Sequence, residues 1–143
     1  MSTAPTPPPR TARCPCGSGD TFGDCCGPVL SQERRAGTAQ ALMRSRYTAF
    51  ATGDLEHLLR SWHPRTRPDR ADLAASLDEN VRWLRLEIHE ASTGGPFDDA
   101  GTVEFTAISR GPQGRQVQRE RSRFLREAGA WLYVDGEVGT GAI

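Results

Sequence analysis

The chain has 143 residues, and its 18 Lys+Arg are balanced by 18 Asp+Glu, so it lacks the basic surplus of a free-standing polyanion binder. No apolar run approaches the roughly 18 residues of a membrane span, and residues 1–13 lack the apolar stretch of a secretory signal. Both features imply a reducing, cytoplasmic compartment with no membrane partner; every basic side chain is arginine, because there is no lysine.

Residues 1–13, with Pro7, Pro8 and Pro9 in a row, predict a disordered tail. All four cysteines follow at once, as Cys14-Pro15-Cys16 and Cys25-Cys26. A disulfide framework staples distant segments, whereas these residues can tie only one short loop to itself. Bridging either close pair would strain the bond, since linked Cα atoms sit roughly 4.4–6.8 Å apart. Cross-pairing between the clusters, redox chemistry and exposed thiols are competing readings. Four thiolates in a reducing compartment favour one tetrahedral structural metal, with Zn²⁺ the leading candidate. The turn-rich stretch from Gly17 to Asp24 can aim backbone N–H groups at the sulfurs. A closed four-sulfur site leaves no open position for catalysis.

Gly27-Pro28 predicts a turn closing this loop, and residues 29–37 read as a polar linker. From Thr38 the period becomes helical through Ala39, Leu42, Met43, Ala49 and Phe50, and Gly53 ends it. Asp54 caps a second helix carrying Leu55, Leu58, Leu59 and Trp62, which Pro64 stops. Asp69 starts a third with Leu73 and Leu77. Beyond Val81 the period is two: Leu84, Leu86 and Ile88 alternate with Trp83, Arg85, Glu87 and His89. Val103, Phe105 and Ala107 then alternate with Glu104, Thr106 and Ile108. Gly111-Pro112-Gln113-Gly114 reads as a hairpin turn into a strand over residues 115–126, and Gly129 turns that into a last strand over residues 131–135. Three helices followed by four strands is an α+β arrangement, with the helices on one face of an antiparallel sheet.

Several of these strings are recognisable. Cys14-Pro15-Cys16-Gly17-Ser18-Gly19 with Phe22 and Cys25-Cys26 resembles the SEC-C zinc motif, named for the C-terminus of the SecA translocation ATPase. Leu42-Met43-Arg44-Ser45-Arg46-Tyr47, Trp62-His63-Pro64, Glu120-Arg121-Ser122-Arg123-Phe124-Leu125 and Tyr133-Val134-Asp135-Gly136 resemble the YchJ family. The resemblance implies a SEC-C motif over residues 14–28, then a cone-shaped nuclear-transport-factor-2-like (NTF2-like) domain over residues 38–138, then a tail over residues 139–143. In that fold a curved four-stranded antiparallel sheet wraps around the three helices. The resemblance also implies that Cys14, Cys16, Cys25 and Cys26 hold one zinc, and that the knob docks protein partners. Many relatives carry a second SEC-C motif after the cone, absent from these 143 residues.

Arg46 lies four residues from both Leu42 and Phe50, on the apolar face of its helix. A guanidinium there needs a carboxylate, a carbonyl cluster or a bound anion. Glu120 is the expected partner, because it shares a strand face with Ser122 and Phe124. Arg46, Tyr47, Trp62, His63, Glu120 and Ser122 therefore form the candidate pocket or buried ion pair. His63, at a helix end beside Pro64, is the one candidate general base; with Arg46 positioning a carboxylate it would make the cone an isomerase or dehydratase. Packing is the competing role. His57 and His89 read as exposed. Arg119, Arg121 and Arg123 line the opposite strand face, where they would contact RNA or the ribosome, stay solvated, or lie in a homodimer built on the sheet. Trp83 and Trp131 read as sheet packing. Together these features describe a cytoplasmic zinc protein with a binding or interaction role.

Overall fold

The structure is a computed structural model that describes residues 6–77 and 80–138. After a single 3-10 turn, Phe22–Asp24, come α1 (Cys26–Leu30), α2 (Ala39–Thr52), α3 (Leu55–Arg60) and α4 (Arg70–Ser76). Four strands follow: β1 (Arg82–Thr93), β2 (Ala100–Gly111), β3 (Gly114–Glu127) and β4 (Ala130–Val138). They form one antiparallel meander in the order β1-β2-β3-β4, which is the α+β architecture expected. None of the described helices is long and apolar enough to cross a membrane.

Local chemistry sets the helix ends. Thr38 accepts a hydrogen bond from Ala41 N at 3.0 Å and starts α2. Gly53, at φ 80°, ends it in the left-handed region open to glycine. Asp54 accepts from His57 N and caps α3 at once. The helix α1 replaces the turn expected at Gly27-Pro28. Pro28 is the third residue of that helix, where no intrahelical N–H is required. Val29 and Leu30 thus belong to a packed element rather than to a polar linker.

The sheet curves because it is bulged. Irregularities between Trp83 and Arg85 and between Ile88 and Glu90 leave Leu84 and His89 unpaired on β1. The first one reverses the expected phase: Trp83 pairs with Ser109 and faces inward with Leu86 and Ile88, while Leu84 is 46% exposed. On β4, Val134 is the extra residue between partners of Arg123 and Phe124. The edge of β4 is covered where Ser61, Trp62 and His63 pair with Tyr133, through His63 N to Tyr133 O at 2.7 Å and Tyr133 N to Ser61 O at 2.8 Å.

One apolar cluster runs from the cysteine loop into the cone, joining Cys14, Cys16 and Phe22 to Leu42, Met43, Val103, Phe124 and Trp131. A smaller one joins Ala49, Leu58 and Leu73. Residues 6–13 are not a free tail. Thr6 N donates to Thr52 O, Phe22 N to Ala12 O at 2.7 Å and Gly23 N to Arg10 O at 2.9 Å. A turn closed by Ala12 N on Pro9 O at 3.0 Å thus presents the Arg10 and Ala12 carbonyls as further acceptors for the cysteine loop. Residues 1–5 and the C-terminal segment 139–143 lie outside the described residues.

Candidate functional site

The cysteine loop folds as a small hairpin. Arg13 and Thr21 pair across it, Cys14 N donates to Asp20 O at 2.9 Å, and Gly17 N donates to Cys14 O at 3.1 Å. That turn brings Cys14 and Cys16 against Cys25 and Cys26 at the start of α1. Gly27 lets the helix begin there: a Cβ on it would lie 2.7 Å from Phe22 O. All four sulfurs lie within 4.8 Å of one another, with Cys16 to Cys25 at 3.6 Å and Cys25 to Cys26 at 3.9 Å. A tetrahedron of sulfurs at about 2.3 Å from a metal has edges of about 3.8 Å, so the cluster has the size and donor set of a potential tetrahedral metal site.

Its surroundings suit excess negative charge. Ser18 Oγ donates to Cys25 Sγ at 3.2 Å. Arg44, on α2, donates from Nη1 to Cys16 O at 3.0 Å and sits 3.8 Å from its sulfur. Arg34 Nη2 donates to Asp24 O and Cys25 O, both at 3.2 Å. Among the thiols alone, hydrogen bonds from Cys14 and Cys26 hold Cys16 far below the ordinary thiol range. The same network, led by Cys14, pushes Cys26 far up, and burial pushes Cys25 up to about 11. A metal entering the cluster must therefore displace protons as it binds.

The second candidate is a cleft of about 1230 Å³ between the concave face of the sheet and the helices; its lining includes Arg46, Tyr47, Trp62, Glu120 and Ser122. Arg46 is 3% exposed. Its Nη1 donates to Leu58 O at 3.0 Å and Ser61 Oγ at 2.7 Å. Its Cζ lies 4.8 Å from the Trp62 ring centre and 4.5 Å from that of Tyr133, in the corner of two rings that stand at 88°. Burial pulls Arg46 down to about 10 against the attraction of Tyr133 and Glu120, so it stays charged at neutral pH. Burial likewise pushes Tyr47 up to about 12.

The expected Arg46–Glu120 ion pair does not form. Leu58, Ser61 and the two rings reach the guanidinium first, and Glu120 is occupied by Ser122 Oγ at 2.6 Å, Tyr133 OH at 3.3 Å and Gln118 Nε2 at 3.1 Å. His63 lies outside the cleft. Its Nδ1 accepts from Arg65 N at 3.1 Å, which leaves Nε2 to donate to Glu127 at 2.9 Å, so the imidazole is tied to the far end of β3. The expected pairing of a base with Arg46 in one pocket is therefore not assembled.

His57 is buried, not exposed. Ser45 Oγ donates to Leu42 O, so it accepts from His57 Nε2 at 2.8 Å, while Arg60 Nη2 donates to Nδ1 at 3.2 Å. The small Ser45 leaves the gap that admits this ring. His89 is exposed at its bulge and contacts Thr106 Oγ1 at 2.6 Å. On the convex face Arg119 pairs with Glu104 at 2.9 Å and Arg123 with Asp135 at 2.5 Å, while Arg121 is exposed. Sequence reading missed Tyr133 and Ser61 as partners of Arg46; the alternation of Tyr133 with the inward Trp131 was the available signal for the first.

Comparison with known proteins matches this division of the chain. Residues 10–28 match the SEC-C motif, and residues 38–136 match the YchJ middle NTF2-like domain. A UPF0225 protein of Streptomyces coelicolor is 50% identical over 133 residues, covering 93% of this chain and 97% of its own. A UPF0225 protein of Deinococcus radiodurans is 44% identical, covering 85% and 86%. The solution structure of a SEC-C motif containing protein from Rhodopseudomonas palustris superposes with a TM-score of 0.79 at 38% identity, over 89% of this chain and 98% of that one. A protein with a cystatin-like fold from Caulobacter vibrioides, 18% identical over 73% of this chain and 89% of its own with a TM-score of 0.54, shares the fold alone. With its motif, its cone and its relatives in agreement, the chain belongs to the YchJ (UPF0225) family, in which a SEC-C motif precedes an NTF2-like domain.

Proposed function

We propose that this protein is a cytoplasmic binding module in which one structural zinc holds the SEC-C knob against the cone and the cone's cleft holds a small ligand. Four sulfurs at tetrahedral spacing, with two arginines beside them, support zinc over a redox pair. Elemental analysis of protein purified without chelator is expected to give about one zinc per chain. Cysteines recovered as disulfides with no stoichiometric metal would refute that assignment.

The observation that carries the binding role is the open cleft itself, with a charged, buried Arg46 in its wall. A cone meant only as a scaffold would fill this space with apolar side chains. Binding is favoured over an isomerase or dehydratase reaction because His63 is engaged by Glu127 elsewhere. A fragment screen followed by ¹H–¹⁵N NMR is the test. Hits should cluster on cleft resonances, including the indole groups of Trp62 and Trp83. Hits confined to other surfaces, or no hits, would overturn the binding role.

A further inference from the structure

Arg46 has more donors than the protein uses. Nη1 serves Leu58 and Ser61, while Nε and Nη2 have no acceptor among the described residues, and the guanidinium forms no ion pair there. The indole Nε1 of Trp62, in the same cleft wall, is buried and also lacks a partner. Trp131 Nε1, outside the cleft, is in the same state, so the indole alone singles out no ligand. Arg46 Nε and Nη2, by contrast, are not sealed from solvent, and in the cleft wall they offer a charged donor pair to an acceptor from outside the chain.

We infer that the cleft takes a small monocarboxylate with an aromatic or branched apolar body, its carboxylate on the unused edge of Arg46 and its body against Phe50, Trp83 and Phe105. This rests on the reading of the cone as a ligand cleft. The Nε/Nη2 edge of a guanidinium matches a planar carboxylate in a two-point hydrogen bond. Trp62 and Tyr133 crowd the guanidinium face, which directs the ligand to that edge. Glu120 lies in the same cleft, and its charge opposes a dianion such as a phosphate ester more strongly than a monoanion. The apolar rings provide the contact area that a small acid needs for useful affinity.

The test is a ¹H–¹⁵N titration of the full, metal-loaded chain with phenylacetate, phenylacetamide and inorganic phosphate. Phenylacetate should shift the Trp62 indole resonance saturably and leave that of Trp131, which lies outside the cleft, unmoved. Phenylacetamide should bind at least roughly tenfold more weakly, a difference expected for loss of a charge-assisted pair; phosphate should leave Trp62 unshifted. Arg46→Gln should weaken phenylacetate by at least the same factor. Because a buried substitution can impair folding, Glu120→Gln provides a second arm, and it should bind phenylacetate at least as tightly as the parent. Equal binding of phenylacetamide and phenylacetate would remove the carboxylate assignment while leaving the cleft a binding site. Phosphate shifting Trp62 as strongly, weaker binding by Glu120→Gln, or no Trp62 shift with millimolar phenylacetate would each overturn it as well.

Discussion

His57 shows how a single side chain can make stability depend on pH. Burial, with Arg60 and Arg46 nearby, pulls its pKa down from 6.5 to about 3, and both ring nitrogens are already committed. The unfolded chain takes up the proton below about pH 6.5 while the folded chain refuses it until about pH 3. Its contribution is therefore complete above about pH 6.5 and declines as the pH falls towards 3, by about 1.4 kcal/mol per pH unit. His57→Gln retains a donor for Ser45 and an acceptor for Arg60 without titrating. Urea unfolding from pH 6 to pH 4 should show the variant gaining on the parent by that slope, and parallel curves would disprove the assignment. At this scale the sequence was half legible. Leu42, Arg46 and Phe50 at four-residue spacing exposed the inward placement of Arg46. Its partners come from a carbonyl, a hydroxyl and two rings on other elements, and no local spacing announces those. His57 was misread for the same reason, since the gap it fills belongs to α2.

Three elements meet closely where β1 ends, β2 begins and α2 starts. Ala39 N donates to Gly94 O at 3.0 Å. A Cβ on Gly101 would lie 2.4 Å from Gly94 Cα, and one on Gly94 would lie 2.9 Å from Ala39 Cβ. Two glycines thus let a strand pair and a helix N-terminus share one point. Gly101→Ala should cost about 1–3 kcal/mol, the usual range for overpacking, read as a lower urea midpoint. Gly37→Ala, with nothing within 4 Å of its Cβ, should leave that midpoint nearly unchanged and serves as the control. Existence and order of the three main helices and four strands were legible from period, caps and turn residues. The bulges were not: one extra residue at Leu84 puts Trp83, rather than Leu84, on the inward face that Leu86 and Ile88 keep. The short α1 was hidden because Gly27-Pro28 carries a turn signal whether or not a helix begins there.

For the molecule as a whole, the cysteine loop is not an appendage. Its cysteines and Phe22 belong to the same apolar cluster as the cone, so loss of the proposed metal should be felt throughout. A strong chelator should lower the thermal midpoint in a single transition, by about 4 °C for each kcal/mol lost. An unchanged cone transition after chelation would instead show the knob to fold by itself. The long helix α2 is what makes this more than a matter of stability. Arg44 and Thr48 face the cysteines from one flank, while Arg46, Tyr47 and Phe50 face the cleft from the other. The two sites share a wall one helix thick, and anything that shifts or loosens that wall changes both. Free-energy coupling of this kind is reciprocal: if the proposed zinc raises the affinity of the cleft for its proposed ligand, the ligand must raise the affinity for zinc by the same factor. A protein so built would report on two small molecules through a single helix.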